Sequence, residues 1–324
     1  MTVLVSGAAG FIGFHTAQAL LARGEKVIGI DNLNDYYDVG LKRARLAQLQ
    51  GNKAFAFHRL DIADREPMMK FFAANPDIDR IVHLAAQAGV RYSLENPYAY
   101  TRSNIEGHLV MLEGARHLPG LRHFVYASSS SVYGGNAKLP YAVEDRVDNP
   151  VSLYAATKKA DELITQCYSH LFGIPATGLR FFTVYGPWGR PDMSAFIFTR
   201  KILAGESVPV FNRGDMKRDF TYIDDVVAGV LACLDKAPEG PGARHKVYNL
   251  GNHKSEPLLR FIEVLERAIG KKAKLSLEPM QPGDVKETYA DIEATSRDFG
   301  FKPKTMIDEG VPRFIAWYRD YHKI

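Results

Sequence analysis

The chain has 324 residues, 46% hydrophobic and 24% charged, an ordinary globular composition with room for one large α/β unit or two domains sharing a core. Its formal net charge is +4, from 41 Lys plus Arg against 37 Asp plus Glu, which argues for no polyanion partner but suits a cleft for a small anionic substrate. There is no like-charge run or aromatic–basic cluster to suggest nucleic acid, no apolar run long enough for a membrane, and no HExxH or CxxC spacing to suggest a metal.

From Met1 the chain enters an apolar strand pattern, Val3-Leu4-Val5, without a basic leader. A Gly-rich turn follows, then a helical pattern to about Arg23, closed by Gly24. Further strands are predicted at Lys26–Asp31, Ala54–Asp61, Arg80–Ala86 and His123–Ser128, with helices between them. Their near-continuous apolar character fits parallel strands covered on both faces, hence a doubly wound parallel sheet of the Rossmann type. After about residue 180 the order loosens. Loop chemistry at Pro187–Pro191 leads to a helix at Ser194–Ala204, then short strands at Val208–Phe211 and Asp219–Ile223. Asp224–Lys236 and Val247–Leu250 read as a helix–strand unit that could rejoin the first sheet, and amphipathic helices follow near Leu258–Ile269 and Asp308–Tyr321. The expected division is a first domain over 1–180 plus about 222–252, and a smaller, discontinuous α/β domain over about 181–221 plus 253–324. The two cysteines, Cys167 and Cys233, lie in helical patterns and read as reduced filler of a cytoplasmic protein.

Gly7, Gly10 and Gly13 stand where the first strand gives way to a helix. The first glycine permits a tight turn, the second lets the backbone approach a pyrophosphate, and the third allows close helix–strand packing. The helix N-terminus beyond them, starting with Phe11 and Ile12, offers free N–H groups and a positive dipole end to phosphates. The spacing is GxxGxxG, not the commoner GxGxxG. Asp31 ends the second strand, where a carboxylate would accept from both ribose hydroxyls and repel a 2′-phosphate, favouring NAD over NADP; the alternative is a loop or cap acid. Asp61 and Ile62, closing the third strand, stand as adenine contacts or as plain loop residues.

Tyr154 and Lys158 share one face of a predicted helix at Ser152–Leu171, one turn apart. A free phenol, with a pKa of about 10, is a poor base at neutral pH, and a nearby cation favours its phenolate. By itself such a pair is commonly a solvated helix face; downstream of a dinucleotide loop and a serine-rich strand end it becomes specific. That strand end is Ser128-Ser129-Ser130-Ser131, at the carboxyl edge where doubly wound folds bind ligands. One of the four could bond the reacting oxygen and share its proton with Tyr154, and the run alternatively reads as a polar loop.

The glycine loop, the serine run with Val132-Tyr133-Gly134, and YxxxK together resemble the extended short-chain dehydrogenase/reductase family of nucleotide-sugar enzymes. Stretches at 31–37, 85–91 and 181–193 are similar to the UDP-glucuronate 4-epimerases of that family. The resemblance implies that NAD takes up the C4 hydrogen of a UDP-uronate as hydride and returns it on the other face. It implies Ser129, Tyr154 and Lys158 as catalytic, with Asn32, Leu84, Ala85, Ala86 and Gln87 joining the cofactor site. It assigns Arg91, Ser130 and Ser131 to the substrate, Arg218 and Asp284 to its UDP part, and Phe211 to the uracil. Dehydratases and decarboxylases of the family place Asp or Glu after the catalytic hydroxyl; Ser130 and Ser131 here favour simple epimerisation. A 4-keto uronate loses CO₂ readily, so a carboxylate clamp is expected from Thr183, Arg190 and a neighbour of Ser129, although Arg190 also reads as a surface arginine. UDP-glucose epimerase, UDP-glucuronate decarboxylase and a non-catalytic NAD-binding scaffold are the competing readings. Relatives pair through two long helices, here Pro97–His117 and Ser152–Leu171, which makes a homodimer the expected assembly.

Overall fold

Val3 and Val5 pack into one hydrophobic cluster and Leu4, between them, into another. That period of two, repeated along the first strands, is what requires helices on both faces of the sheet. The computed structural model describes residues 1–324. Its seven-stranded sheet is parallel throughout, in the order β10-β6-β5-β4-β1-β2-β3. The strands are β1 Thr2–Ser6, β2 Lys26–Asp31, β3 Phe55–Arg59, β4 Ile78–His83, β5 His123–Ser129, β6 Ala176–Phe181 and β10 His245–Leu250. Helices α1 (Phe11–Ala22), α2 (Val39–Gln50) and α9 (Ile223–Leu234) build the cluster on one face. On the other lie α3 (Arg65–Ala74), α6 (Gly107–Arg116) and α7 (Leu153–Phe172), the last reaching the cluster through Ile164 and Tyr168.

The strand–helix alternation therefore yields the doubly wound sheet it predicts, and the 245–250 strand does rejoin it beside β6. Several boundaries differ. The third and fourth strands stop at Arg59 and His83, so Asp61, Ile62 and Leu84–Gln87 fall in the loops beyond the strand ends. The buried strand β6 carries no clear signal in the sequence: Gly178 and Arg180 interrupt its apolar run, and Arg180 is buried because Glu162 answers its charge and Tyr133 takes a further hydrogen bond. The helix expected at Pro97–His117 is broken into α5 (Pro97–Tyr100), a wide-turn π segment at Thr101–Glu106, and α6, after the short α4 (Tyr92–Glu95).

Two smaller sheets rise above the carboxyl edge. One runs β11 (Ser255–Pro257), β9 (Lys217–Tyr222), β7 (Thr183–Tyr185); the other pairs β12 (Lys274–Leu277) with β8 (Ser207–Val210). Helices α8 (Ser194–Ala204), α10 (Leu258–Ile269), α11 (Glu293–Phe299) and α12 (Ile307–His322) complete this layer, and Phe220 stacks on Phe261 at 4.0 Å in its core. Phe182, β7 and β9 belong to the same hydrophobic cluster as α1 and α9, so the two layers share a core. No helix is long and apolar enough to cross a membrane.

Candidate active site

The sheet order reverses between β1 and β4, and a cleft of about 400 Å³ opens at that point beside the strands' carboxyl ends. At its base Gly7 takes a left-handed turn at φ 72°, and its amide donates to Ile30 O at 2.8 Å. A Cβ on Gly13 would stand 2.0 Å from Gly7 O, so only glycine lets α1 start this close to β1. No acid occupies the first turn of α1, and its dipole end is left for an anion.

Asp31 is buried, accepting from Leu33 N at 2.8 Å and Ala9 N at 3.1 Å. Burial pushes its carboxyl up, against the pull of those amides and of Lys42. Asn32 donates to Asp61 at 3.2 Å, tying the second and third strand ends together. Gly7, Gly10, Phe11, Ile12, Gly13, Asp31, Asn32, Asp61, Ile62 and Leu84–Gln87 all line the cleft.

Further along it, Ser152 caps α7 by accepting from Ala155 N at 3.1 Å, which fixes the turn carrying Tyr154. Tyr154 lines the cleft with its ring edge-on to Tyr100, 6.0 Å between centroids. Lys158 is buried behind it and donates to Ala127 O at 2.9 Å and to Asp161 at 3.0 Å. The serines divide their work. Ser128 donates to the buried Glu162 at 2.7 Å and so faces into the protein. Ser129 ends β5, and its hydroxyl donates to Ser131 Oγ at 3.2 Å and accepts from Ser131 N at 3.2 Å, holding the tight turn that presents Ser130 and Ser131.

Thr183 and Arg190 line the opposite wall. Arg190 is no loose surface arginine: Asp192 accepts from its Nη2 at 2.5 Å and its Nε at 3.1 Å. Burial works against charge in both, yet each holds the other ionised, Asp192 below and Arg190 above its ordinary range. At the mouth, Arg218 bonds Asp284 at 2.6 Å, and Arg91 lies 3.9 Å from Asp284 and 4.6 Å above the Phe211 ring. Arg218 and Asp284 line the cleft; Arg91 and Phe211, outside its lining, stack on each other beside Asp284.

Sequence reading missed three organising residues. Asn104, in the π segment, accepts from Gln87 N at 2.8 Å and donates to Gln87 O and Thr157 Oγ1 at 3.0 Å, joining the cofactor-side loop to α7. Arg45 is wholly buried without a carboxylate, donating to Ala9 O, Trp188 O, Gly189 O and the Tyr37 hydroxyl. It thus ties the glycine loop to the loop bearing Arg190. Asp192 is the third: its pairing with Arg190 is local, but its burial and its bond from the Tyr36 hydroxyl, 156 positions away, are not marked in the sequence.

Against known proteins, the profile of the NAD dependent epimerase/dehydratase family matches residues 3–251. The chain is 48% identical to UDP-glucuronate 4-epimerase 2 of Arabidopsis thaliana, over 100% of this chain and 77% of that one. It superposes at TM-score 0.91 and 35% identity on the UDP-glucuronic acid 4-epimerase of Bacillus cereus in complex with UDP-glucuronic acid and NAD, covering 99% of this chain and 100% of that one. A UDP-glucose 4-epimerase of Thermotoga maritima with UDP-glucose superposes at 0.89 and 30% identity, covering 99% and 100%.

Proposed function

The chain belongs to the NAD dependent epimerase/dehydratase family, and from that premise we propose that it inverts C4 of UDP-glucuronate to give UDP-galacturonate through a transient 4-keto sugar. The observation that carries the choice of reaction is where carboxylates stand in the cleft. Asp31 and Asp61 belong to its adenosine end and Asp284 to its mouth, while the quarter around Tyr154 holds hydroxyls. A dehydratase or decarboxylase would want an acid there; an epimerase needs none.

The dinucleotide fits the glycine turn, where added Cβ atoms would strike Ala85 N or the Gly7 carbonyl, so that only glycines let the first helix start close against the strand with its N-terminus toward the cleft. Gly7–Gly13, Asp31, Asp61 and Leu84–Gln87 would hold it, Asp31 taking the adenosine ribose with the lone pairs its backbone partners leave. When bound, NAD supplies a reversible hydride acceptor at the sugar's C4. The protein's part is proton handling and orientation. Tyr154 accepts the C4 hydroxyl proton and later returns it, the Lys158 ammonium stabilises the phenolate, and Ser129 bonds the reacting oxygen. Between the two proton movements the keto sugar turns about its diphosphate linkage and presents its other face. Thr183, Arg190 and Ser130 or Ser131 hold the uronate carboxylate so that its C–C bond stays out of line with the carbonyl π system, which guards against loss of CO₂. Arg218, Asp284, Arg91 and Phe211 take the UDP end, so that sheet residues of 1–180 and about 222–252 serve the cofactor and those of about 181–221 and 253–324 the sugar nucleotide.

The test is to incubate the protein as purified with UDP-glucuronate, add no cofactor, and identify products by NMR. UDP-galacturonate is expected. A UDP-pentose would make it a decarboxylase, a higher kcat/KM on UDP-glucose a neutral-sugar epimerase, and no turnover on a nucleotide-sugar panel a binding scaffold. A homodimer is supported by α6 and α7, which pack together and leave Leu109, Leu163, Leu171 and Phe172 exposed; sedimentation equilibrium tests it. Two free cysteines support a reducing, cytoplasmic setting.

A further inference from the structure

Behind the reacting side chains lies a carboxyl that the proposed chemistry does not use. Asp161 stands on α7 one turn after Lys158, and its Oδ2 accepts from the Lys158 Nζ at 3.0 Å. It is fully buried, and its other oxygen, Oδ1, has no hydrogen-bond partner. Packing alone does not account for such a group, because a buried carboxyl with an unmet oxygen is costly. What it does have is a direct hold on the cation that lines the same cleft one helical turn from Tyr154.

The groups around it are locked. From β4 and α6, burial holds His83 at about 3 and His108 well below its ordinary value, so both imidazoles are neutral. From β5, burial holds the Tyr126 phenol well above its ordinary value. On α7 itself, burial opposes the charge of Glu162, but Arg180 of β6, at 2.8 Å, keeps it ionised below the usual range. Asp161 differs: burial pushes its carboxyl up to about 7, against the pull of Lys158. Among these neighbours it is the group whose charge can change near neutrality.

We propose that Asp161 is a positioning residue for the Tyr154–Lys158 pair, its buried carboxylate pinning the Lys158 ammonium and offsetting part of that charge as felt by the phenol. The proposal rests on the proton-carrying roles given above to Tyr154 and Lys158. The sign follows from electrostatics: a negative group behind the cation weakens the field that favours phenolate, and its removal strengthens that field. Asp161→Asn keeps an acceptor for Lys158 while deleting the charge. The acid limb of kcat should then move to lower pH, by about one unit.

Two measurements test this in the full-length protein. One is the pH profile of kcat on UDP-glucuronate for the parent and Asp161→Asn. The other uses no substrate: ultraviolet difference titration of tyrosinate, each protein read against its own Tyr154→Phe version so that only Tyr154 remains. Both limbs are expected to move down together, and Asp161→Ser, which removes the charge in a smaller volume, should move them likewise. If the Tyr154 titration stays in place in either folded variant, the proposal is overturned. It is equally overturned if kcat falls by one factor at every pH, as loss of mere packing would give. A displaced titration in a protein that does not turn over UDP-glucuronate would uphold the electrostatic link and sink the functional reading instead.

Discussion

Arg190 lies in the cleft with two of its nitrogens on the Asp192 carboxylate, at 2.5 and 3.1 Å, and the Tyr36 hydroxyl donates to that carboxylate at 3.1 Å. One guanidinium edge is thus already committed, and a uronate carboxylate must use the Nη1 side or displace Asp192. Arg190→Ala should lower kcat/KM for UDP-glucuronate about ten- to a hundredfold, the worth of a charge-assisted hydrogen bond, and change UDP-glucose little. A UDP-pentose by-product should rise as the carboxylate swings free. Steady-state kinetics on the two sugars with product NMR decide it; equal losses on both would remove Arg190 from the clamp.

Tyr154 and Lys158 should separate in stability although they act together. Tyr154→Phe removes only a hydroxyl at the cleft wall and should cost about 10²–10⁴ in kcat with an unchanged melting temperature. Lys158→Ala would also remove the cation that pulls Asp161 toward its charged form, so that the buried carboxyl stands protonated and without its partner, at a cost of about 1–3 kcal/mol of stability. Thermal melts of the two variants at pH 8 make the comparison. A Lys158→Ala protein as stable as the parent would contradict it.

Gly13→Ala should abolish dinucleotide binding or the fold itself, because its Cβ would meet the Gly7 carbonyl at 2.0 Å and neither strand nor helix can retreat. Gly120→Ala is the control, with nothing within 4 Å of the added carbon. Calorimetric titration with NAD and a melt of each variant read the difference.

Stability should fall as pH drops from 6.5 toward 4. Burial holds His15, His123 and His245 at about 4 and His83 at about 3, below the ordinary 6.5. A group depressed on folding contributes stability that is present above its unfolded value and lost as pH falls through its folded one. His123 shows why it stays neutral: its Nδ1 donates to Leu234 O at 3.0 Å, so Nε2 accepts from Thr177 at 2.9 Å. A shift from 6.5 to about 4 corresponds to about 3 kcal/mol for that ring. Asp161 and Asp219, raised by burial to about 7 and about 6, act in the opposite sense and lose their share as pH rises. Melting temperature against pH should therefore decline on the acid side, and less steeply in His123→Gln.

Much of the site was legible because its signals are local. A three-glycine turn between strand and helix, an acid at the next strand end, and a Tyr and Lys one helical turn apart each declare themselves within a few residues. All line the same cleft. The serine run shows where locality stops: four identical residues differ in role only because Glu162, 34 positions from Ser128, draws that one hydroxyl inward. Strand β6 was lost to the same blindness, since its buried Arg180 looks polar until Glu162 is seen beside it.

The sequence by itself determined the sheet apart from β6, the dinucleotide turn and the Tyr154–Lys158 pair, since periodicity and steric need are written in neighbouring residues. Only the tertiary structure decided what surrounds them: Arg45 holding a carbonyl 143 positions away, Tyr36 gripping Asp192 across 156, and the burial that leaves an Asp161 oxygen unmet. Those relations depend on burial and on charges brought together across the fold, and a carboxyl's neighbours, not its place in the chain, set what it does.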